Sequence, residues 1–244
     1  MKLLAMDTST LVLGVAVYDS EENRVLGELT TNLHKNHSVR LMPALDQLLT
    51  DLDLSIEEMG ALAVTSGPGS YTGIRIGVTT AKTMAWARKL PLYSESSLTV
   101  LAMNGRHFPG LIVPMFDARR ERAYTGVYKR EQGGLAEVLP QQVMEVAALL
   151  DRLRERDEPV LFLGDDAAKF HEGIVGALGD RAEFGSPADN VPRAAQLAWL
   201  CGQKWRAHQP PEHADFTPNY LQITEAEANW LKKQGKAETN EQKA

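Results

Sequence analysis

The sequence predicts an α/β fold made of two successive units, each on a βββαβα plan. Three observations carry that expectation. Short apolar runs alternate with helical periodicities in the same order twice along the chain. Each half opens with a strand that ends in aspartate, Asp7 after LLAM and Asp117 after LIVPMF. Aligning Asp7 on Asp117 also places Val17 and Tyr18 on Val127 and Tyr128, the same distance along each half.

In the first half, residues 3–7 and 11–18 read as strands joined by the polar turn Thr8-Ser9-Thr10, and residues 24–31 as a third. A helix over 36–52 carries Leu41, Leu45, Leu48, Leu49 and Leu52 on its buried stripe, with Asn36 and Ser38 as candidate caps. Ser55-x-x-Glu58 has the form of a capping box opening a short turn. Leu62, Ala63 and Val64 then read as a buried strand, followed by the turn GPGSYTG (67–73) and a helix to Arg88. A strand at 92–94 and a short helix at 97–103 complete the half. The second half repeats the order, with strands at 111–117, 122–128 and 135–139, a helix over 141–156, a strand at 160–163 and a helix over 167–178. A last helix over 192–207 has proline near its start. The expected units are 1–107 and 108–225, and residues 226–244, which lack hydrophobic pattern, are expected to be a disordered tail.

Composition narrows the function classes. The 244 residues are 43% hydrophobic and 24% charged, as in an ordinary globular protein. A single cysteine, Cys201, excludes an internal disulfide and a cysteine-based zinc cluster and fits a reducing compartment. MKLLAMDTST turns polar too early for a signal peptide, and no apolar run approaches the roughly 20 residues that span a bilayer. A soluble, cytoplasmic protein without a membrane segment is expected. The net charge of −6 argues against a stand-alone nucleic-acid binder. Arg119, Arg120 and Arg122 do cluster, as a basic contact or as the solvated edge of a hairpin.

The most informative stretch is 61–88. Strand, glycine loop and helix is the arrangement that aims backbone N–H groups at an anion, which makes Gly67, Gly69 and Ser70 candidate phosphate contacts. Gly73, Gly77, Ala81 and Ala85 sit four apart and form a ridge almost without side chains. Glycine inside a helix costs about 1 kcal/mol relative to alanine, so the ridge implies an unusually close neighbour. That neighbour is a partner's helix or, alternatively, the chain's own sheet.

Read together, MDTST at the N-terminus, NHS at 36–38, TSGPGSYTGIRIGVTTAK at 65–82 and DARRERAY at 117–124 occur in an order that resembles the TsaB (YeaZ) family. The likeness covers about residues 1–225, and GPGSYTGIRIGV is its most specific part. It implies an actin-like (ASKHA, ribonuclease H-like) fold in both units, with Asp7, Thr8 and Ser9 in the first phosphate turn and Asp117 across the cleft. It further implies a non-catalytic subunit in forming threonylcarbamoyladenosine at position 37 of tRNAs that read codons beginning with A. The implied partners are a TsaD-like catalytic subunit, a TsaE-like ATPase, a second copy in a homodimer, and tRNA held mainly through the complex. The first-half helices would meet the partner through the ridge of Gly73, Gly77, Ala81 and Ala85 and through Val39, Met42 and Leu49. The catalytic paralogue's HxxxH metal pair falls in register on Ser97 and Leu101, neither of which suits iron or zinc. The resemblance therefore implies no catalytic residue, metal or cofactor of its own, with ATP or ADP only at an interface of the complex. His34 and His37 read as surface or capping residues, and GxxxxGK is absent. Two alternatives stand beside this reading: a small phosphotransferase or ATPase of the same superfamily, motivated by Asp7, Thr8 and the 67–73 loop, and a peptidase, for which no GxSxG elbow exists.

Overall fold

A computed structural model describes residues 1–33, 36–131 and 133–221. The expected tail at 226–244 and His34 lie outside the described residues. Two five-stranded sheets organise the chain. The first contains β1 (Lys2–Asp7), β2 (Val12–Asp19), β3 (Arg24–Asn32), β4 (Met59–Thr65) and β5 (Leu92–Glu95), in the order β3-β2-β1-β4-β5. The second contains β6 (Leu111–Asp117), β7 (Arg122–Glu131), β8 (Gly134–Glu145), β9 (Val160–Leu163) and β10 (Ala182–Phe184), in the order β10-β9-β6-β7-β8. Read from the opposite edge, the second order repeats the first. β1 runs antiparallel to β2 and parallel to β4, just as β6 does to β7 and β9. The central strands are apolar runs rather than alternating ones because they are buried on both faces. Tyr18 and Tyr128, equivalent in the two halves, are both buried.

Among the described residues, six α-helices cover the sheets: α1 (His37–Asp51), α2 (Tyr71–Arg88), α3 (Ser97–Ala102), α4 (Val146–Arg154), α5 (His171–Leu178) and α6 (Ala194–Arg206). Asn36 caps α1, its side-chain oxygen accepting the Ser38 N–H at 3.0 Å. Leu41, Leu45 and Leu48 are buried against the first sheet, while Leu49 and Leu52 pack partly buried on the same core. The helix expected from residue 141 begins only at Val146. Residues 141–145 instead extend β8, whose pairing with β7 runs to Arg122 opposite Glu145. A ready strand partner outweighs a weak helical pattern there. β10 is a three-residue edge strand with too little sequence for any periodicity to register.

The last helix of each half lies against the other half's sheet. α3 packs Leu98, Leu101 and Ala102 with Ile112, Phe116, Tyr128 and Leu163. α6 packs Ala194, Leu197, Ala198 and Cys201 on Leu3, Ala5, Ala16 and Tyr18. Glu28 of β3 holds the start of α6, accepting from Arg193 Nε at 2.9 Å and from the Ala195 N–H at 3.2 Å. Lys204 holds its end, reaching Glu95 at 2.9 Å and the Ser94 carbonyl at 2.6 Å. The chain then follows the first half: the Glu212 N–H donates to Leu92 O, Lys82 Nζ to Phe216 O and the Asn219 N–H to Ser66 O. Residues 194–221 thus return to the first sheet, whereas the sequence reading keeps them with the unit that starts at 108. Among the described residues, no helix is long and apolar enough to cross a membrane.

Candidate functional site

The turn after β1 is built by its own side chains. Asp7 Oδ1 accepts the Ser9 N–H at 2.8 Å and the Thr65 hydroxyl at 2.7 Å, an Asx-type closure. Burial pushes the Asp7 carboxyl above its usual value, against the opposing pull of those bonds. Thr8 donates its hydroxyl to Gly73 O at 2.8 Å, and Ser9 O accepts the Ser70 N–H at 2.7 Å. The loop and α2 therefore press directly on the turn. A Cβ at Gly69 would stand 2.1 Å from Ser9 O, one at Gly73 2.1 Å from Thr8 O, and one at Gly77 2.5 Å from Thr8 Oγ1. Those distances explain the glycines at these positions.

They also correct one expectation. The ridge of Gly73, Gly77, Ala81 and Ala85 is buried, with Ala81 and Ala85 in the first core, so the close neighbour is the chain itself. Small residues at helical spacing look the same in sequence whichever neighbour they admit. Leu49 likewise turns inward. Among the polar residues that α1 and α2 leave outside stand three large apolar side chains: Val39 is 68% exposed, Met42 52% and Trp86 83%. Trp86 lies nine residues beyond Gly77, about two and a half turns, and so on the opposite face of α2. That offset from the ridge is the signal in the sequence that marks Trp86 as outward-facing.

A cleft of about 800 Å³ lies between the halves. Of the expected phosphate contacts, Ser9, Gly69 and Ser70 border it, while Asp7, Thr8 and Gly67 do not. The other wall carries Asp117, Arg119, Arg120, Arg122, Asp165, Asp166 and Lys169. Lys169 lies 2.7 Å from Asp117 and 2.8 Å from Asp166, and the Asp166 carboxylate accepts the Asp117 N–H at 2.8 Å. Partial burial raises the Asp117 carboxyl, but Lys169 and the Arg119 N–H outweigh it and leave the group below its usual value. The Gly164 N–H donates to Asn190. The two aspartates are thus not presented together at the cleft: Asp7 is enclosed and Asp117 is paired with lysine.

The metal register of the catalytic paralogue fits no better. Leu101 is packed in the core beside Phe116 and Leu163, and Ser97 is fully buried with its N–H on Gly67 O. His37, read from sequence as a surface or capping residue, is instead buried, with Nε2 2.7 Å from Thr10 O behind the same turn. Ser70 caps α2, its hydroxyl accepting the Gly73 N–H at 3.2 Å.

Two sheets of identical order about a cleft, with aspartate closing the first strand of each, define an actin-like ATPase fold. The family model described as TsaD, tRNA N6-adenosine threonylcarbamoyltransferase, matches residues 24–230. The tRNA threonylcarbamoyladenosine biosynthesis protein TsaB of Bacillus subtilis is 46% identical over 237 residues, covering 96% of this chain and 100% of that protein. Its Escherichia coli counterpart is 31% identical over 137 residues, covering 55% and 58%. A Pseudomonas aeruginosa crystal structure, described as similar to peptidase YeaZ, superposes with a TM-score of 0.73 at 26% identity, covering 91% of this chain and 99% of that one. The chain belongs to the TsaB (YeaZ) family.

Proposed function

We propose that the chain is a non-catalytic subunit of the cytoplasmic machinery that forms threonylcarbamoyladenosine at position 37 of tRNAs reading codons beginning with A. The observation that carries this reading is the outer face of α1 and α2. Val39, Met42 and Trp86 leave large apolar side chains in water, and tryptophan is the residue type most often found at the energetic centre of an interface. The partner is a TsaD-like catalytic subunit, with a second copy of this chain competing for the same face in the free protein. A TsaE-like ATPase and tRNA join through the complex, and the subunit brings no cofactor or metal of its own. Any ATP or ADP sits at an interface of the complex. The side chains at the paralogue's metal register support this division of labour, since Leu101 and Ser97 are core residues and not ligands.

Reconstitution tests the reading. Purified chain with threonylcarbamoyl-AMP and tRNA should give no modified tRNA, and adding the catalytic paralogue from the same source should restore modification. Turnover by the chain alone would overturn it.

A further inference from the structure

The turn between β6 and β7 adopts a backbone that L-residues avoid. Arg119, Arg120 and Glu121 have φ of 64°, 54° and 56°, three consecutive left-handed residues and none of them glycine. The conformation is held from several sides: the Ala118 N–H donates to Arg122 O at 2.9 Å, the Arg122 N–H to Arg119 O at 3.2 Å and the Val146 N–H to Glu121 O at 3.0 Å. Glycine would satisfy each of these positions with less strain. Strain kept in place by its surroundings concentrates where a side chain has work to do.

Arg119, Arg120 and Arg122 all line the cleft. There, with Lys169, they outnumber Asp117, Asp165 and Asp166, on a chain whose net charge is −6. Lys169 already lies between two of those carboxylates. The facing wall offers rings. Tyr71 and Tyr220 are both exposed, their centroids 5.3 Å apart at 30°, and the Arg75 guanidinium stands 5.3 Å over Tyr71. The same wall is the start of the 18-residue α2, with no acidic residue in its first turn. Ser9, which borders the cleft there, is fully buried, and its hydroxyl has no hydrogen-bond partner among the described residues.

We infer that the mouth of this cleft contacts a single-stranded segment of RNA. Arg119 and Arg122 take backbone phosphates, and the Tyr71–Tyr220 pair gives a base a face to stack on. Cations alternating with exposed rings are the chemistry of single-strand binding, whereas an acidic peptide would need no rings. The choice of RNA rests on the reading of the chain as a tRNA-modification subunit. The guanidiniums supply the positive charge that magnesium would otherwise bring to phosphate.

The test is fluorescence anisotropy of a labelled tRNA that reads a codon beginning with A, using the full chain alone and mixed with the catalytic paralogue. Arg119→Gly removes a guanidinium while relieving strain, so its melting temperature should hold or rise. Combined with Arg122→Glu, it should lower affinity by about tenfold or more and flatten the dependence of log K on log salt by about 0.7 for each phosphate no longer neutralised. Tyr220→Ala should lower affinity about fivefold or more and leave that slope unchanged. Unchanged affinity and slope in the arginine variants would overturn the inference. So would binding of ATP or polyglutamate at the cleft without RNA. Capture of the paralogue is measured on the same samples. Variants that capture it normally but lose RNA support the inference. Wild-type protein that binds RNA but fails to capture the paralogue breaks the functional reading alone.

Discussion

The two halves share one plan and use it differently. In the first, the turn after β1 is sealed under the loop and α2, with Gly69, Gly73 and Gly77 each making room for an atom of Thr8 or Ser9. In the second, the loop after β9 meets the end of β6, where a Cβ at Gly164 would stand 2.4 Å from Met115 O, but the turn after β6 itself borders the cleft with Arg119 and Arg120 exposed. The helices tell the same story. Gly73 and Gly77 have no space for a methyl group, whereas a Cβ at Gly173 or Gly176 of α5 would meet nothing within 4 Å. A repeated backbone therefore fixes where a turn and a helix lie, and the side chains decide whether they close on each other or stay available.

Substitutions break or sharpen this contrast. The largest effect is expected from Gly73→Ala, whose Cβ would overlap the Thr8 carbonyl. We expect a loss of about 4 kcal/mol or more by urea unfolding, or failure to fold. A soluble variant of wild-type stability would mean that α2 does not press on the turn. At the equivalent-looking but open glycines, Gly173→Ala with Gly176→Ala should instead stabilise by about 1 to 2 kcal/mol in total, since both are helical and unobstructed.

The sealed turn also makes a pH prediction. Because burial raises the Asp7 carboxyl, the folded state holds its proton more tightly than the unfolded chain does. That contribution favours folding in acid and is lost as pH rises above the unfolded value of about 4. The melting temperature of Asp7→Asn relative to wild type should therefore increase between pH 4 and pH 7. A relative decrease would show that the ionised carboxylate is stabilised by Ser9 and Thr65 by more than burial costs it. The smallest effect belongs to the open half. Lys169→Ala removes two partly exposed ion pairs and should cost about 1 kcal/mol or less, with most of the loss gone in high salt.

Much of this fold is legible from residues alone, because apolar runs and turn residues mark β1, β2, β6 and β9 to within a residue or so, and the paired aspartates expose the repeat. What the chain does with its ends is not legible. α6 carries an ordinary amphipathic pattern, and nothing in that pattern says that Glu28, more than 160 positions earlier, will receive it. The glycine ridge announces a close neighbour but not its identity, which depends on the path of Thr8 and Ser9. The Arg-Arg-Glu turn is invisible for the opposite reason. Left-handed residues are foreseen from glycine or asparagine, and here neither is present.

The central claim is that α2 turns its small residues inward and offers Trp86 to a partner. Titrating the catalytic paralogue with Trp86→Ala tests it most directly. Because Trp86 is 83% exposed, the variant should melt like wild type yet bind at least about 30-fold more weakly. Wild-type affinity in the well-folded variant would contradict the claim and place the docking surface elsewhere on the molecule.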